Sequence, residues 1–232
     1  MINIVKKVYK KIHIIQNIFI KNKFLINKKS YAMEGEDLEI VKILKNIKDG
    51  FYVDAGGYHP LDRNNTYLLY KKNWRGINID LSKFSIDLFN YIRPDDINLN
   101  IAVSNKEGAI TYYFQKKLSQ LNTIKKNIAE KRMQGEIREQ QISSSRLTSI
   151  LDKTKFKNRK IDFLNIDAEG ADYDVLKSLD FNIYRPRLIC VEIDIKNTKQ
   201  SEIYIFLKKM RYTRRWSATF SHLFTDDFFD FN

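Results

Sequence analysis

Asp54 closes an apolar run and is followed at once by a glycine pair in Gly50-Phe51-Tyr52-Val53-Asp54-Ala55-Gly56-Gly57-Tyr58-His59-Pro60. Glycines at a strand end let the backbone pass close to a ligand, with no Cβ in the way. Pro60 then suits the first turn of a helix. A second apolar run, residues 76–79, ends in Asp80, 26 residues after Asp54. A carboxylate there can accept two hydrogen bonds from a ribose diol. In an open α/β sheet both positions lie outside the carboxyl ends of the strands, where ligands collect. The pair reads as a pocket for an adenosine-bearing cofactor. The dinucleotide fingerprint lacks its third glycine, and the chain has no G-x-x-x-x-G-K-[ST] phosphate loop. A cofactor without phosphates fits better, and S-adenosylmethionine is the obvious one. The competing account makes Gly56 and Gly57 a tight turn and nothing more; Asp80 weighs against it.

Alternating strands and helices must hold these residues. Helical spacing of Leu38, Val41, Ile43 and Leu44 predicts a helix before the first strand, residues 51–54. A helix over 61–72 follows, then a strand at 77–80 and a helix capped by Ser82 and closed by Pro94. Further strands are expected at 98–104, at 110–114 after a hairpin turn, at 163–167 and at 188–193. Helices are expected over 173–179 and 200–210, before a last aromatic β segment. This order predicts a mostly parallel sheet with both faces covered. Residues 115–146 break the rhythm: they are polar, charged and poor in glycine. They read either as a solvated helix and loop or as a substrate-side insertion.

From about Ser30 to Ile193 the chain resembles the FkbM family of S-adenosylmethionine-dependent methyltransferases. The matching pieces begin with Ser30-Tyr31, Glu34-Gly35-Glu36-Asp37-Leu38, the 51–60 turn and Asn65-Thr66-Tyr67. They continue through Gly76-Ile77-Asn78-Ile79-Asp80, Ile97-Asn98-Leu99-Asn100, Ala102-Val103-Ser104 and Leu121-Asn122-Thr123. The strongest is Ile161-Asp162-Phe163-Leu164-Asn165-Ile166-Asp167-Ala168-Glu169-Gly170, followed by Tyr184-Arg185-Pro186 and Val191-Glu192-Ile193. The resemblance implies a Rossmann-like class I methyltransferase fold with a C-terminal antiparallel β segment. It implies that Gly56 and Gly57 pass under the methionine portion, that Asp54 anchors its ammonium directly or through water, and that Asp80 takes the ribose hydroxyls. Ala102, Val103 and Ser104 would contact adenine, Asn65 and Thr66 would reach the carboxylate, and Glu36 with Asp37 would close the pocket. The family's known roles imply a sugar or polyketide hydroxyl as acceptor, here favouring a glycan of a bacterial surface polysaccharide, nucleotide-linked or lipid-linked.

Methyl transfer from a sulfonium needs an oxygen held in line with the methyl, and orientation supplies ~7–11 kcal/mol. An alcohol must also lose a proton, and a positioned base adds ~10²–10⁴-fold. Asp167, at the end of its strand beside the first strand, is the first candidate. Glu169 opens the next helix, where an acid is stabilising by ~0.3–1 kcal/mol without catalytic duty. His59 is the third, with a pKa suited to proton relay; its alternative role is to fix the loop. Asp167 with Glu169 would also offer oxygens to a divalent cation, but two carboxylates leave metal dependence open.

Composition sets the bounds. At 232 residues, with 43% hydrophobic and 13% aromatic side chains, one domain over 30–232 is expected. One cysteine, Cys190, excludes an internal disulfide and agrees with a reducing cytoplasm. The net charge of +13 suggests nucleic acid, yet eight lysines precede the first acid in the chain. Asp167-Ala168-Glu169-Gly170 stands where base-amine methyltransferases carry a Pro-Pro-aromatic turn, which weighs against methylation of base amines and leaves ribose methylation of RNA as an alternative. A non-catalytic docking module on the same fold is the other rival; intact Gly56, Asp54, Asp80 and Asp167 argue against it. Residues 1–29 carry Val5, Val8, Ile12, Ile15 and Phe19 at helical spacing between lysines. That pattern is a basic amphipathic helix, fit either for peripheral contact with an anionic membrane or for packing on the domain or a partner. No run of ~20 apolar residues exists to span a bilayer.

Overall fold

The computed structural model describes residues 2–193 and 195–230. Helix α1 (Ile2–Ile15) runs into a π-helical turn, Gln16–Lys21, and α2 spans Glu36–Ile43. Then come β1 (Phe51–Ala55), α3 (Tyr67–Lys71), β2 (Arg75–Asp80), α4 (Lys83–Ile92), β3 (Ile97–Asn100), β4 (Ala102–Val103) and β5 (Gly108–Phe114). The second half holds α5 (Lys126–Arg132), β6 (Arg138–Ser145), α6 (Leu147–Asp152), β7 (Phe163–Ile166), α7 (Asp172–Lys177) and β8 (Leu188–Glu192). A 3-10 turn, α8 (Glu202–Lys209), β9 (Tyr212–Ser217) and β10 (Ser221–Asp226) close the described chain.

Seven strands form the main sheet in the order β3-β2-β1-β7-β8-β10-β9, parallel except for β10. This is the mixed α/β, Rossmann-like architecture expected from the sequence. Every residue of β1 is buried, because helices cover both faces of this central strand. Phe51, Val53 and Ala55 pack with α6, α7 and α8, while Tyr52 faces Ile40 of α2, Leu69 of α3 and Trp74 just before β2. The chain steps outward from β1 to β3 and returns at β7 beside β1. The connections leaving β1 and β7 therefore run in opposite directions at a topological switch point, which opens a crevice above the strand ends.

Ser82 caps α4 as expected, its side chain accepting the Ser85 N–H. Three local expectations need correction. The helix expected over 61–72 is only the short α3, because residues 60–66 spend their polar groups on a buried network rather than on helical hydrogen bonds. The strand expected at 98–104 breaks after Asn100, so β3 stays in the main sheet and β4 joins a second sheet, β4-β6-β5. There β5 pairs antiparallel with β6, not with β4, so the turn at 106–108 is no simple hairpin. Strand β6, Arg-Glu-Gln-Gln-Ile-Ser-Ser-Ser, comes from the polar segment 115–146. Only three of its residues are buried, so it carries almost no apolar alternation to announce it.

Candidate active site

The ladder brings the strand ends together. Ala55 pairs with Ile79 on one side and Ile166 on the other, and Ile166 pairs with Val191. One residue further on, Gly56, Asp80, Asp167 and Glu192 line up along the same edge. Gly56 sits at φ +90°, and both Gly56 N and Gly57 N donate to the Ile79 carbonyl at 2.9 and 3.1 Å. A Cβ on Gly56 would lie 1.8 Å from the Asp167 carbonyl oxygen. The glycine is thus required by the close crossing of two strand ends, which also keeps the crevice floor thin.

A cleft opens above this edge. Its apolar walls include Ile79, Leu81, Ile101, Ala102 and Val103, and Tyr58, Asp80, Ser119, Gln120, Asn122 and Asp167 are among its polar residues. Asp80 accepts the Tyr58 N–H at 2.8 Å and the Ser82 N–H at 2.6 Å. Each carboxylate oxygen so keeps a lone pair for a ligand diol. Burial pushes the Asp80 carboxyl up to about 6, against the pull of those two backbone donors. The apolar slot thus ends at a carboxylate. Ser104 lies outside it, hydrogen bonded to Ser144 and Lys106 in the small sheet.

Asp167 is shared with a second cleft. Glu36, Asn65, Glu169, Glu192, Arg63 and Arg132 line this one together with Gln120 and Leu121 from the segment after β5. The Asp167 Oδ1 atom is buried without a hydrogen-bond partner. Burial, with Glu192, Glu169 and Asp172 nearby, raises its pKa well above the usual carboxylate range. Glu192 is pushed up to about 7, by burial first and then by Asp172 and Glu169, with Arg132 opposing. Glu169 is ion-paired to Arg132, and its carbonyl accepts the Thr123 hydroxyl at 2.8 Å. Asp172 closes the turn beneath by accepting the Ala168 and Gly170 N–H groups at 2.9 and 3.0 Å.

Several expected site residues stand behind the clefts rather than in them. Asp54 has no exposed surface and is held by Thr66 (2.8 Å), Asn64 (3.2 Å) and Asn165 (2.8 Å). Fully buried Arg93 braces the same knot, donating to Asn64 and the Pro60 carbonyl at 2.6 Å and to Thr66 at 2.7 Å. The knot locks residues 60–66 onto β1. Asn65 does face the second cleft, with its amide on Asn165 at 2.9 Å. Asp37 is buried on Ser30 and the Tyr31 N–H, at 2.6 and 2.7 Å.

His59 is buried under the glycine turn. Its Nδ1 accepts the N–H groups of Leu61 and Asp62 at 3.0 and 3.1 Å, which places the proton on Nε2, donating to Asn17 at 2.8 Å. Burial, with Arg93 and Lys28 nearby, lowers its pKa to about 3. It stays neutral with both nitrogens engaged, and ties the N-terminal segment to the turn. Accordingly His59→Gln should change affinity for the methyl donor by no more than about threefold, while residues 16–29 become open to limited proteolysis. A large loss of kcat with intact protease resistance would instead make His59 a proton carrier.

Sequence reasoning passed over Tyr58, Gln120, Arg63, Arg132 and, most consequentially, Glu192. The signal for Glu192 was available: an acid ending the strand beside β7. Among the described residues, no group of three or more His, Cys, Asp or Glu side chains is arranged to hold a metal ion. No curated protein matches this chain. The methyltransferase FkbM domain matches residues 54–214, more than half of the 232; the chain belongs to the FkbM family of methyltransferases.

Proposed function

We propose that this methyltransferase moves the methyl group of S-adenosylmethionine to a hydroxyl of a sugar. The observation that carries the reading is Asp167, which stands in the wall between an apolar slot ending at Asp80 and a polar cleft rich in carboxylates. When bound, S-adenosylmethionine supplies an electrophilic methyl open to in-line attack by oxygen. Asp80 would hold its ribose, and Ala102 and Val103 its adenine. In the polar cleft Glu36, Asn65, Arg63 and Arg132 give donors and acceptors in the mixture that a polyol needs. Asp167, with Glu192 beside it, would take the hydroxyl proton as the C–O bond forms and the methyl C–S bond breaks, its electron pair leaving with the thioether sulfur. Four carboxylates around the acceptor position disfavour a phosphodiester chain, which weighs against RNA as the acceptor. The glycan is taken to belong to a bacterial surface polysaccharide, consistent with the roles known in the family.

The test uses carbon-13 methyl-labelled S-adenosylmethionine with nucleotide-linked sugars, lipid-linked sugars and RNA. A methyl ether carbon on a sugar ring supports the reading; a methyl on nitrogen, or on RNA alone, refutes it. The raised Asp80 pKa adds a pH dependence with a fixed sign. Ionised Asp80 accepts from the diol, so cofactor affinity should be flat above pH 7. Below about 6 it should fall by about tenfold per pH unit as the carboxyl protonates. Asp80→Ala should bind weakly at every pH, and an unchanged pH profile in that variant would place the titrating group elsewhere.

A further inference from the structure

The N-terminal helix presents a face that nothing in the chain covers. Among the described residues, nine of the fifteen large hydrophobic side chains that stand exposed lie between Ile4 and Ile26. Six of them are on α1: Ile4, Val5, Val8, Tyr9, Ile12 and Ile15, with Ile4 67% and Val5 62% exposed. At 3.6 residues per turn these six fall within an arc of about 140°. The opposite side of the helix holds it to the domain. Ile14 and Ile18 are buried against Tyr31, Leu61, Tyr67 and Leu88, Lys10 pairs with Asp87 at 2.5 Å, and Asn17 meets His59. The apolar stripe visible in the sequence thus points mostly away from the domain, and the anchoring residues are others.

We propose that this face of α1 seats the enzyme on an anionic membrane surface. By the same helical geometry Lys6 borders the apolar arc on one edge, and Lys7 and Lys11 border it on the other. All are exposed, and no acid occurs before Glu34. Apolar side chains flanked by lysines match the acyl boundary and the anionic headgroups of a bilayer leaflet. With 14 residues the helix is about 21 Å long, short of the ~30 Å hydrocarbon core, so it lies in the surface and does not cross. No helix among the described residues is long and apolar enough to cross a membrane. A second copy is the less suitable cover, because pairing two such faces would bring together lysine borders that have no acid to meet. The inference goes beyond the acceptor assignment and does not depend on it.

The experiment is flotation of the full chain with vesicles of phosphatidylcholine alone and of phosphatidylcholine mixed with phosphatidylglycerol. The wild type should float with the anionic vesicles and not with the neutral ones. Val8→Glu with Ile12→Glu, and separately Lys6→Gln with Lys11→Gln, should each cut the bound fraction by about tenfold or more. Both pairs of positions are solvent-exposed, so Tm and S-adenosylmethionine affinity should match the wild type, which separates this question from methyl transfer. Three results overturn the proposal. One is equal flotation with both vesicle types. Another is binding that salt removes but Val8→Glu with Ile12→Glu does not, which is adsorption of a polycation to any polyanion. The third is a wild-type dimer that those same two substitutions convert to monomer without vesicle binding in either form.

Discussion

Asp167→Asn should lower kcat by about 10²–10⁴-fold and at the same time make the protein less sensitive to loss of stability as pH rises. The first effect follows from position: the side chain stands in the wall between the two clefts, with a buried oxygen free of partners. The second follows from its environment. Burial and neighbouring acids raise the folded-state pKa above the unfolded value. Between those two values the native state binds more protons than the unfolded state, so stability falls as pH rises through the folded pKa. Above the folded-state pKa a buried charge is held at a cost that the amide avoids. The gain should appear as a higher Tm of the Asn variant on the alkaline side of that pKa. It should vanish at a pH low enough to protonate the carboxyl in both states. Glu192→Gln should act in the same direction, with its gain fading as pH falls from about 7. Paired melting curves and single-turnover rates decide it. An Asn variant that keeps its rate, or one whose Tm falls with rising pH as steeply as the wild type's, contradicts the assignment.

Gly56→Ala is expected to do the opposite and cost most of the fold. Its Cβ would be driven to 1.8 Å from a backbone oxygen that belongs to the neighbouring strand end, and φ there is +90°. No side chain can swing aside to relieve that contact, so β1 and β7 must part. A loss on the order of 3–5 kcal/mol is a large share of the total stability of a domain. Gly108 is the control, with φ +110° and nothing within 4 Å of an added Cβ. Gly108→Ala should therefore lose only about 1–2 kcal/mol from backbone strain. Urea unfolding of the two variants separates strand crossing from turn geometry. Equal losses would mean that the glycine serves the turn alone.

The contrast between these two positions shows what a sequence can and cannot disclose about such a site. Buried parallel strands read as unbroken apolar runs, so 51–55 and 188–192 were legible, and the acids that end strands marked the edge where ligands bind. Glu192 was legible as an acid closing a strand, but its place beside Asp167 follows from the register of β7 on β8, which the residue pattern does not specify. Asp54 and Thr66 carry the right residue types for ligand contacts, yet buried Arg93 and Asn64 claim them for a knot under the cleft. His59 illustrates the same limit: burial and two backbone donors convert a group that titrates near neutrality into a fixed acceptor. Strand β6 was hidden for another reason, since it pairs through its backbone at the surface and needs few apolar side chains.

The central claim is that the slot between β1, β2 and β4 takes S-adenosylmethionine through Asp80. Calorimetric titration of the purified full chain with S-adenosylmethionine at pH 7.5, alongside Asp80→Ala, tests it most directly. Saturable binding in the micromolar range is expected for the wild type, and a loss of about tenfold or more in the variant while its melting transition remains cooperative. Absence of binding to the folded wild type, or equal binding by Asp80→Ala, would contradict it.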